Sequence, residues 1–307
     1  KNTHEIVWEW SVFDNYNMVD YDTYADTWWL GFNDGFYDLM EVKIPEGSLL
    51  KPKFPAALSC RTHALGRVFD IISGLLGQGS PDLMCAAGFS DSPHFMYSGY
   101  DRNGKWYQLY QIGFGGIPGR PMGDGPDGHS LWPSFTNVPN EYLESYFPLR
   151  IEVYETIADS GGGGLNRGGN GVRVGYKFLE KGEISVHDDR WLTYPWGVNG
   201  GKPGQRSRKI LLRASGEEEL VPSKCDRVVV QINDLLLFET WGGGGWGDRL
   251  DREVDRVALD VKRGLVTVQG AKEYGVIIDA EGTVDMQQTK SLRKDMRSKS
   301  AGKNLFD

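Results

Sequence analysis

The stretch that decides the fold runs from residue 160 to 208 and reads SGGGGLNRGGNGVRVGYKFLEKGEISVHDDRWLTYPWGVNGGKPGQRSR. Two glycine-rich runs flank a short strand pair and the polar cluster HDDR at 187–190, and a third run, WGGGGWGD, follows at 241–248. Glycine this dense indicates either a flexible linker or backbone that packs unusually closely. Linkers combine Gly with Ser, whereas these runs combine it with Trp, Arg and Asn. We therefore expect ordered, closely packed backbone.

Composition sets the broad class of the protein. A chain of 307 residues with 39% hydrophobic content can form one large or two ordinary domains. Its net charge of -8 gives no basic field, so nucleic acid is not an expected partner. No apolar stretch approaches the roughly 20 residues that span a bilayer, and three dispersed cysteines fit a reducing compartment. We expect a cytoplasmic protein that does not bind membranes.

Periodicity predicts an α+β fold, predominantly β, with mixed β-sheets and a few peripheral helices. Strands are predicted at 4–14, 95–99, 105–114, 149–157, 172–178, 183–187, 209–214, 227–231 and 235–240. Helices are predicted at 61–76, 141–146, 249–264 and 267–274, and in the tail from 286. In the helix at 249–264, Asp251 is the expected cap and Gly264 the expected stop.

The helix at 61–76 is expected to place an apolar face on a core and to end at Gly77. Its apolar residues at spacings of three and four are Leu65, Val68, Phe69, Ile72, Leu75 and Leu76. His63 is interpreted as a residue at the edge of the core or in solvent.

The cluster at 187–190 follows a predicted strand. Strand alternation puts His187 and Asp189 on one face and Asp188 and Arg190 on the other. His187 could act as a general base beside a carboxylate while Arg190 holds an anionic group. The alternative is that Asp188 and Arg190 form structural ion pairs.

A second candidate pair, His129 with Asp127, lies in a long irregular loop, the kind of segment that often carries function. We name as catalytic candidates His129, His187 and Asp189, and as substrate-binding candidates Asp127, Asp188 and Arg190. The five histidines give no HxxH, HxxxH or HxxE spacing, so no metal site is predicted.

The third glycine run follows a strand and opens a helix, as phosphate-binding loops do. It lacks the Lys and the Ser or Thr of a P-loop and contains no clean GxGxxG pattern with a downstream acidic residue. We favour the interpretation that glycine lets Trp241 and Trp246 pack over bare backbone.

Three motifs, DSGGGGLNRGGNGVR, ISVHDDRWLTYPWGVNGG and FETWGGGGWGDRLDREVDRVALDVKRG, occur in an order that resembles the C-terminal half of the hydantoinase B/oxoprolinase family. The upstream motifs IPEGSLLKPKFPAA, GDGPDGHS and NVPNEYLESYFPLRIEVYE extend the resemblance over residues 42–278. Within the family, HDDRWLTYPWG is most similar to subunits of ATP-dependent acetone and acetophenone carboxylases.

The resemblance implies a hetero-oligomer in which a hydantoinase A-like ATPase subunit holds ATP and Mg and phosphorylates a small-molecule substrate. This chain would bind no cofactor itself. An N-terminal hydantoinase B half, matched by nothing here, would hold Mn or another divalent metal, and a small accessory subunit would be a further partner. The glycine runs would correspond to the family's polyproline-II-like segments.

The resulting domain prediction is an N-terminal segment at 1–41, a hydantoinase B-like core at 42–248 and a helical segment at 249–307. The favoured function is a subunit, or the C-terminal half, of an ATP-dependent ketone carboxylase. The alternatives are ATP-dependent hydrolysis of a cyclic amide by a hydantoinase, 5-oxoprolinase or lactamase, and a scaffold without catalysis. The start at Lys1 leaves a fragment, a processed product and a split subunit open.

Overall fold

The computed structural model describes residues 43–56, 61–88, 93–129, 136–279 and 281–299. The strands are β1 (His94–Tyr100), β2 (Trp106–Ile112), β3 (Leu149–Thr156), β4 (Val172–Phe178), β5 (Gly182–His187), β6 (Arg208–Leu212), β7 (Glu218–Leu220), β8 (Lys224–Val230) and β9 (Leu235–Glu239). The helices are α1 (Arg61–Gly79), α2 (Asn140–Tyr146), α3 (Val254–Lys262), α4 (Val268–Ala271) and α5 (Met286–Lys299). Short 3-10 helices lie at Pro81–Leu83, Arg249–Asp251 and Lys272–Tyr274.

Two antiparallel sheets enclose the main core. One has the order β2-β1-β5-β8 and the other β3-β4-β9-β6-β7. Aromatic side chains from both sheets meet between them, with the rings of Phe95 and Tyr176 stacked at 4.6 Å and Tyr97 at 4.9 Å from Phe178. The α+β prediction with predominant β structure is confirmed, but the sheets are antiparallel rather than mixed.

The strand pair predicted within the opening stretch is wrong. β4 pairs with β3 and β9, whereas β5 pairs with β1 and β8 in the other sheet. The short turn at 179–181 therefore carries the chain from one layer to the other instead of closing a hairpin. β7 is an additional strand between those predicted at 209–214 and 227–231, because Glu218–Leu220 pairs with the end of β6.

The face of α1 that packs on the protein is the opposite of the predicted one. His63, Asp70 and Gly77 are buried, while Ile72 and Leu75 on the predicted apolar side are 39% and 62% exposed. The helix also continues through Gly77 to Gly79. A Cβ at Gly77 would lie 1.3 Å from the sulfur of Met84, so this glycine permits close contact rather than ending the helix.

The C-terminal helices pack on a second, smaller apolar cluster. The Thr267 side chain caps α4 by accepting the backbone N–H of Gly270, and the predicted stop Gly264 follows α3 with φ +73°. The predicted cap Asp251 is wrong, because it ends a separate 3-10 helix capped by Asp248, and α3 begins only after Glu253, whose side chain makes no capping bond. The tail helix α5 lies against its own chain through Arg293, which donates to the carbonyl oxygen of Arg252 at 2.7 Å.

Four glycine-rich segments, residues 115–128, 160–171, 196–204 and 241–247, hydrogen-bond to one another and are called the glycine module here. Gly169 donates to Ile117 at 2.8 Å, and Gly243 donates to Gly169 at 2.9 Å. A Cβ at Gly116 would lie 1.8 Å from the carbonyl oxygen of Gly169. Close backbone packing is thus confirmed over a flexible linker, whereas the polyproline-II conformation remains a prediction.

The predicted strand at 4–14 and the segment 1–41 lie outside the described residues, so the domain division stays a prediction.

Trp241 is 2% exposed and packs over Gly115, where a Cβ would lie 2.3 Å from the indole. Among the described residues, no helix combines the length and apolar character needed to cross a membrane.

Candidate functional site

The HDDR cluster begins at the last residue of β5 and lies where α1 packs against the sheets. Asp188 is fully buried and pairs with Lys209, whose ammonium also donates to the carbonyl oxygen of Glu239 at 2.9 Å. The indole of Trp191 donates to the same Asp188 carboxylate at 3.1 Å. These contacts fix the backbone immediately after β5.

Arg190 pairs with a different acid. It is 3% exposed, has φ +58° and forms a buried ion pair with Asp70 of α1. The Arg67 guanidinium lies 3.4 Å from the carboxylates of both Asp70 and Asp189. Ion pairs among two charged residues of α1 and two of the cluster therefore connect the helix to the cluster. The ion-pair interpretation of Asp188 and Arg190 is confirmed, with Lys209 and Asp70 as the respective partners.

The structure also brings three histidines together at this point, a group called the histidine cluster here. His94 opens β1 and is the cross-strand partner of His187, which ends β5. The ring of His63 from α1 lies 5.1 Å from the ring of His94. On the more exposed side, Nε2 of His187 lies 3.3 Å from the carboxylate of Asp226. Three elements distant in sequence thus converge on one imidazole-rich surface.

Burial determines the protonation of two of these rings. Desolvation lowers the pKa of His94 to about 4, and the neighbouring His63 and His187 act in the same direction. Burial also lowers the pKa of His63, assisted by Lys224 and opposed by Asp188 and Asp189. Both rings are therefore neutral at neutral pH, the form in which imidazole accepts a proton.

The buried His94 makes stability depend on pH. Its native pKa of about 4 lies below the unfolded value of 6.5, so the unfolded state binds more protons between these values. The stabilisation is complete above pH 6.5 and is lost as pH falls towards 4, by roughly 3 kcal/mol. Denaturant unfolding from pH 7 to pH 4 should show a smaller loss of stability for His94→Phe than for the native chain.

The exposed Gln108 of β2 gives the control for this measurement, since Gln108→Ala removes no titratable group and should follow the pH dependence of the native chain. Superimposable pH profiles for the native chain and His94→Phe would show that burial does not keep His94 neutral in the folded protein.

The second candidate pair lies in a different setting, on the glycine module. Asp127 accepts two hydrogen bonds from the guanidinium of Arg167, at 2.7 and 3.0 Å. The nearby Asp124 likewise accepts two hydrogen bonds from the guanidinium of Arg252, at 2.7 and 2.8 Å. Burial acts to raise the pKa of Asp124, but hydrogen bonding and charge from Arg252 outweigh it, so the pKa is lowered. This network joins the module to the C-terminal helices.

His129 itself is exposed, and its backbone N–H donates to Gly115 at 3.0 Å. The structure therefore assembles His187, Asp188, Asp189 and Arg190 in one place, whereas Asp127 lies in the arginine network and His129 lies at a backbone bridge to Gly115. The catalytic and substrate-binding assignments of all six residues stay predictions.

Sequence reasoning missed His63 and His94 as members of a cluster. His63 belongs to a stripe of polar and small residues on α1 that continues through Gly66, Asp70 and Gly74, and that stripe was a usable signal. His94 carried none, because its place depends on the pairing of β1 with β5, which are more than 80 residues apart. Across the described ranges, no group of three or more His, Cys, Asp or Glu residues has the arrangement of a metal site.

Comparison with known proteins identifies the family of this chain. The sequence pattern of the hydantoinase B/oxoprolinase family matches residues 16–249, and the chain belongs to that family. It is 32% identical, over 85% of its length and 44% of the relative, to a Pseudomonas protein assigned as the B-type component of a D-/L-hydantoinase. It is 26% identical to the acetophenone carboxylase delta subunit of Aromatoleum aromaticum, over 86% of this chain and 45% of that subunit.

The fold is also found in a solved structure. The crystal structure of the ATP-dependent caprolactamase from Pseudomonas jessenii superposes with a TM-score of 0.75 and 27% identity, covering 86% of this chain and 48% of that one. The chain therefore spans about half the length of each of these three relatives.

Proposed function

We propose that this chain forms part of an ATP-dependent enzyme that hydrolyses a cyclic amide, such as a hydantoin or a lactam. The observation that carries the proposal is the order of similarity. Identity is 32% to the hydantoinase component and 26% to the carboxylase subunit, and the superposed structure at TM-score 0.75 is a lactamase. Of the two catalytic functions expected from the sequence, the hydrolase is the better supported, although the carboxylase motif HDDRWLTYPWG favoured the other.

The proposed division of labour places ATP and Mg on a hydantoinase A-like partner subunit, which phosphorylates the substrate. A divalent metal, with Mn as one candidate, would belong to the part of the family chain that this sequence does not span. This chain would then contribute to the hydrolytic half of the reaction within a hetero-oligomer. The absence of a P-loop from its sequence is compatible with that division.

Within this proposal, His187 accepts the proton of the attacking water. It is the least buried member of the histidine cluster, and Asp226 at 3.3 Å orients its ring. Asp189, paired with Arg67, holds the adjacent backbone. Asp188 and Arg190 contribute indirectly, because their ion pairs with Lys209 and Asp70 fix the position of His187 relative to the substrate. His129 remains a second catalytic candidate with a separate location.

The test is ATP turnover by the chain reconstituted with its ATPase partner and the remaining family polypeptide. We expect ADP release to rise with hydantoins or lactams and not with ketone plus bicarbonate. His187→Gln should lower that turnover about a hundredfold, because loss of a general base costs on that order, while the exposed-turn variant Lys181→Gln should leave it unchanged. Stimulation by ketone and bicarbonate alone would overturn the hydrolase proposal.

A further inference from the structure

A cavity of about 180 Å³ lies where the glycine module meets the C-terminal helices. It is separate from the histidine cluster, since its walls come from the glycine runs at 159–170 and 202–203 and from residues 249–274. Its volume is enough for several water molecules, because roughly 10–15 Å³ holds one. Neither the ion pairs of the HDDR cluster nor the proposed hydrolysis uses it.

Two nearly buried polar side chains line this cavity with hydrogen-bonding capacity left over. Tyr274 is 5% exposed, its hydroxyl makes no hydrogen bond to the described residues, and that oxygen lies 3.6 Å from where a Cβ of Gly163 would stand. Gly163 lines the same cavity, which places the hydroxyl at its wall. Arg167 is also 5% exposed, and its Nε has no hydrogen-bond partner among the described residues, with Asp260 3.6 Å away. Buried polar groups of this kind are normally satisfied in the functional state.

The charges and hydrogen-bonding groups of the cavity lining determine which ligand could bond to the Tyr274 hydroxyl and the Arg167 guanidinium. Arginine carries donors only, so the ligand must present an acceptor. Lys202 and Arg249 add two further cations, against the carboxylates of Asp159 and Glu273. Asp159 is already occupied by the backbone N–H and hydroxyl of Thr267, at 2.9 and 2.6 Å, and Glu273 is a largely exposed partner of Arg249 at the rim. Because Arg167 pairs with Asp127 and Arg249 with Glu273, the cavity offers an excess of N–H and O–H donors over acceptors rather than an excess of unpaired charge.

We propose that this cavity is a binding site for a small oxyanion, with the Tyr274 hydroxyl, Lys202 and Arg249 as its principal ligands. Phosphate and a simple carboxylate share the required chemistry, because each presents several acceptor oxygens to converging donors. Burial raises the pKa of Tyr274 to about 12, so its hydroxyl remains a donor at neutral pH. The site does not depend on the proposed hydrolase function.

The experiment is calorimetric titration of the full chain with sodium phosphate and, separately, sodium formate, at constant ionic strength set with chloride. We expect saturable binding at one site for at least one of the two anions. Tyr274→Phe retains the ring and removes the hydroxyl, and Lys202→Gln removes one charge. Each should weaken binding about tenfold, since hydrogen bonds to charged groups contribute on that order.

The matched controls are the exposed residues in Tyr146→Phe and Lys181→Gln, which should bind as the native chain does. Thermal unfolding of each variant establishes that it is folded before titration. Phosphate binding alone assigns a phosphoryl ligand, and formate binding alone assigns a carboxylate. If neither anion binds, or if Tyr274→Phe and Tyr146→Phe bind equally, the oxyanion site is refuted.

Discussion

Gly168→Ala is expected to lower the free energy of unfolding by about 3 kcal/mol or more. A Cβ at this position would lie 1.9 Å from the carbonyl oxygen of Gly243, and the obstacle is backbone rather than a movable side chain. To accept the methyl group, two glycine runs must separate, which would strain the neighbouring bond from Gly162 to Gly243 at 2.8 Å. Denaturant unfolding of both proteins measures the difference.

Gly123→Ala is the matched control within the same module. Nothing lies within 4 Å of its added Cβ, and its φ is not in the left-handed region. This variant should be neutral or slightly more stable, because alanine restricts the unfolded chain more than glycine does. Equal unfolding free energies for the two variants would contradict close backbone packing as the basis of the module.

Lys209→Met should destabilise the protein by about 3–5 kcal/mol, because it leaves the Asp188 carboxylate without its counter-ion. Both side chains are fully buried, so water cannot replace the ammonium. Lys209 also lies 4.1 Å above the ring of Phe238, a contact that methionine preserves in part. The measured loss should therefore reflect the uncompensated charge more than lost packing.

The double variant Lys209→Met with Asp188→Asn tests that cause, because it removes the stranded charge and should recover part of the loss. The exposed pair of Lys299 with Asp295 is the control, and Lys299→Met should change stability by less than about 0.5 kcal/mol. A double variant no more stable than Lys209→Met would show that the ion pair is not what holds the end of β5.

Local sequence patterns predicted every described strand except β7, and β4 matches its predicted limits. The hairpin of β1 and β2 was also predictable, because its register is determined by the adjacent turn at 101–104. The assignment of β4 and β5 to different sheets was not predictable from their short connection. It depends on the pairing of β5 with β1, which is decided by contacts between distant parts of the chain.

The orientation of α1 shows why apolar periodicity failed there. That reasoning assumes that the most apolar face of a helix turns to the core. In α1 the ion pair of Asp70 with Arg190 and the contact of Gly77 with Met84 turn the polar, small-residue face inward. His63 moves inward with that face, so the same error concealed the histidine cluster. Of the three histidines, only His187 was recognised as a candidate from the sequence, and its approach to His94 needed the three-dimensional structure.

The central claim is that this member of the hydantoinase B/oxoprolinase family takes part in hydrolysis rather than carboxylation. The most direct measurement supplies the reconstituted assembly with ATP, a cyclic amide, a ketone, isotope-labelled water and bicarbonate carrying a different label, and follows both labels into the products. We predict a ring-opened product whose new carboxylate carries oxygen from water and no carbon from bicarbonate. Transfer of bicarbonate carbon to a ketone would contradict the account.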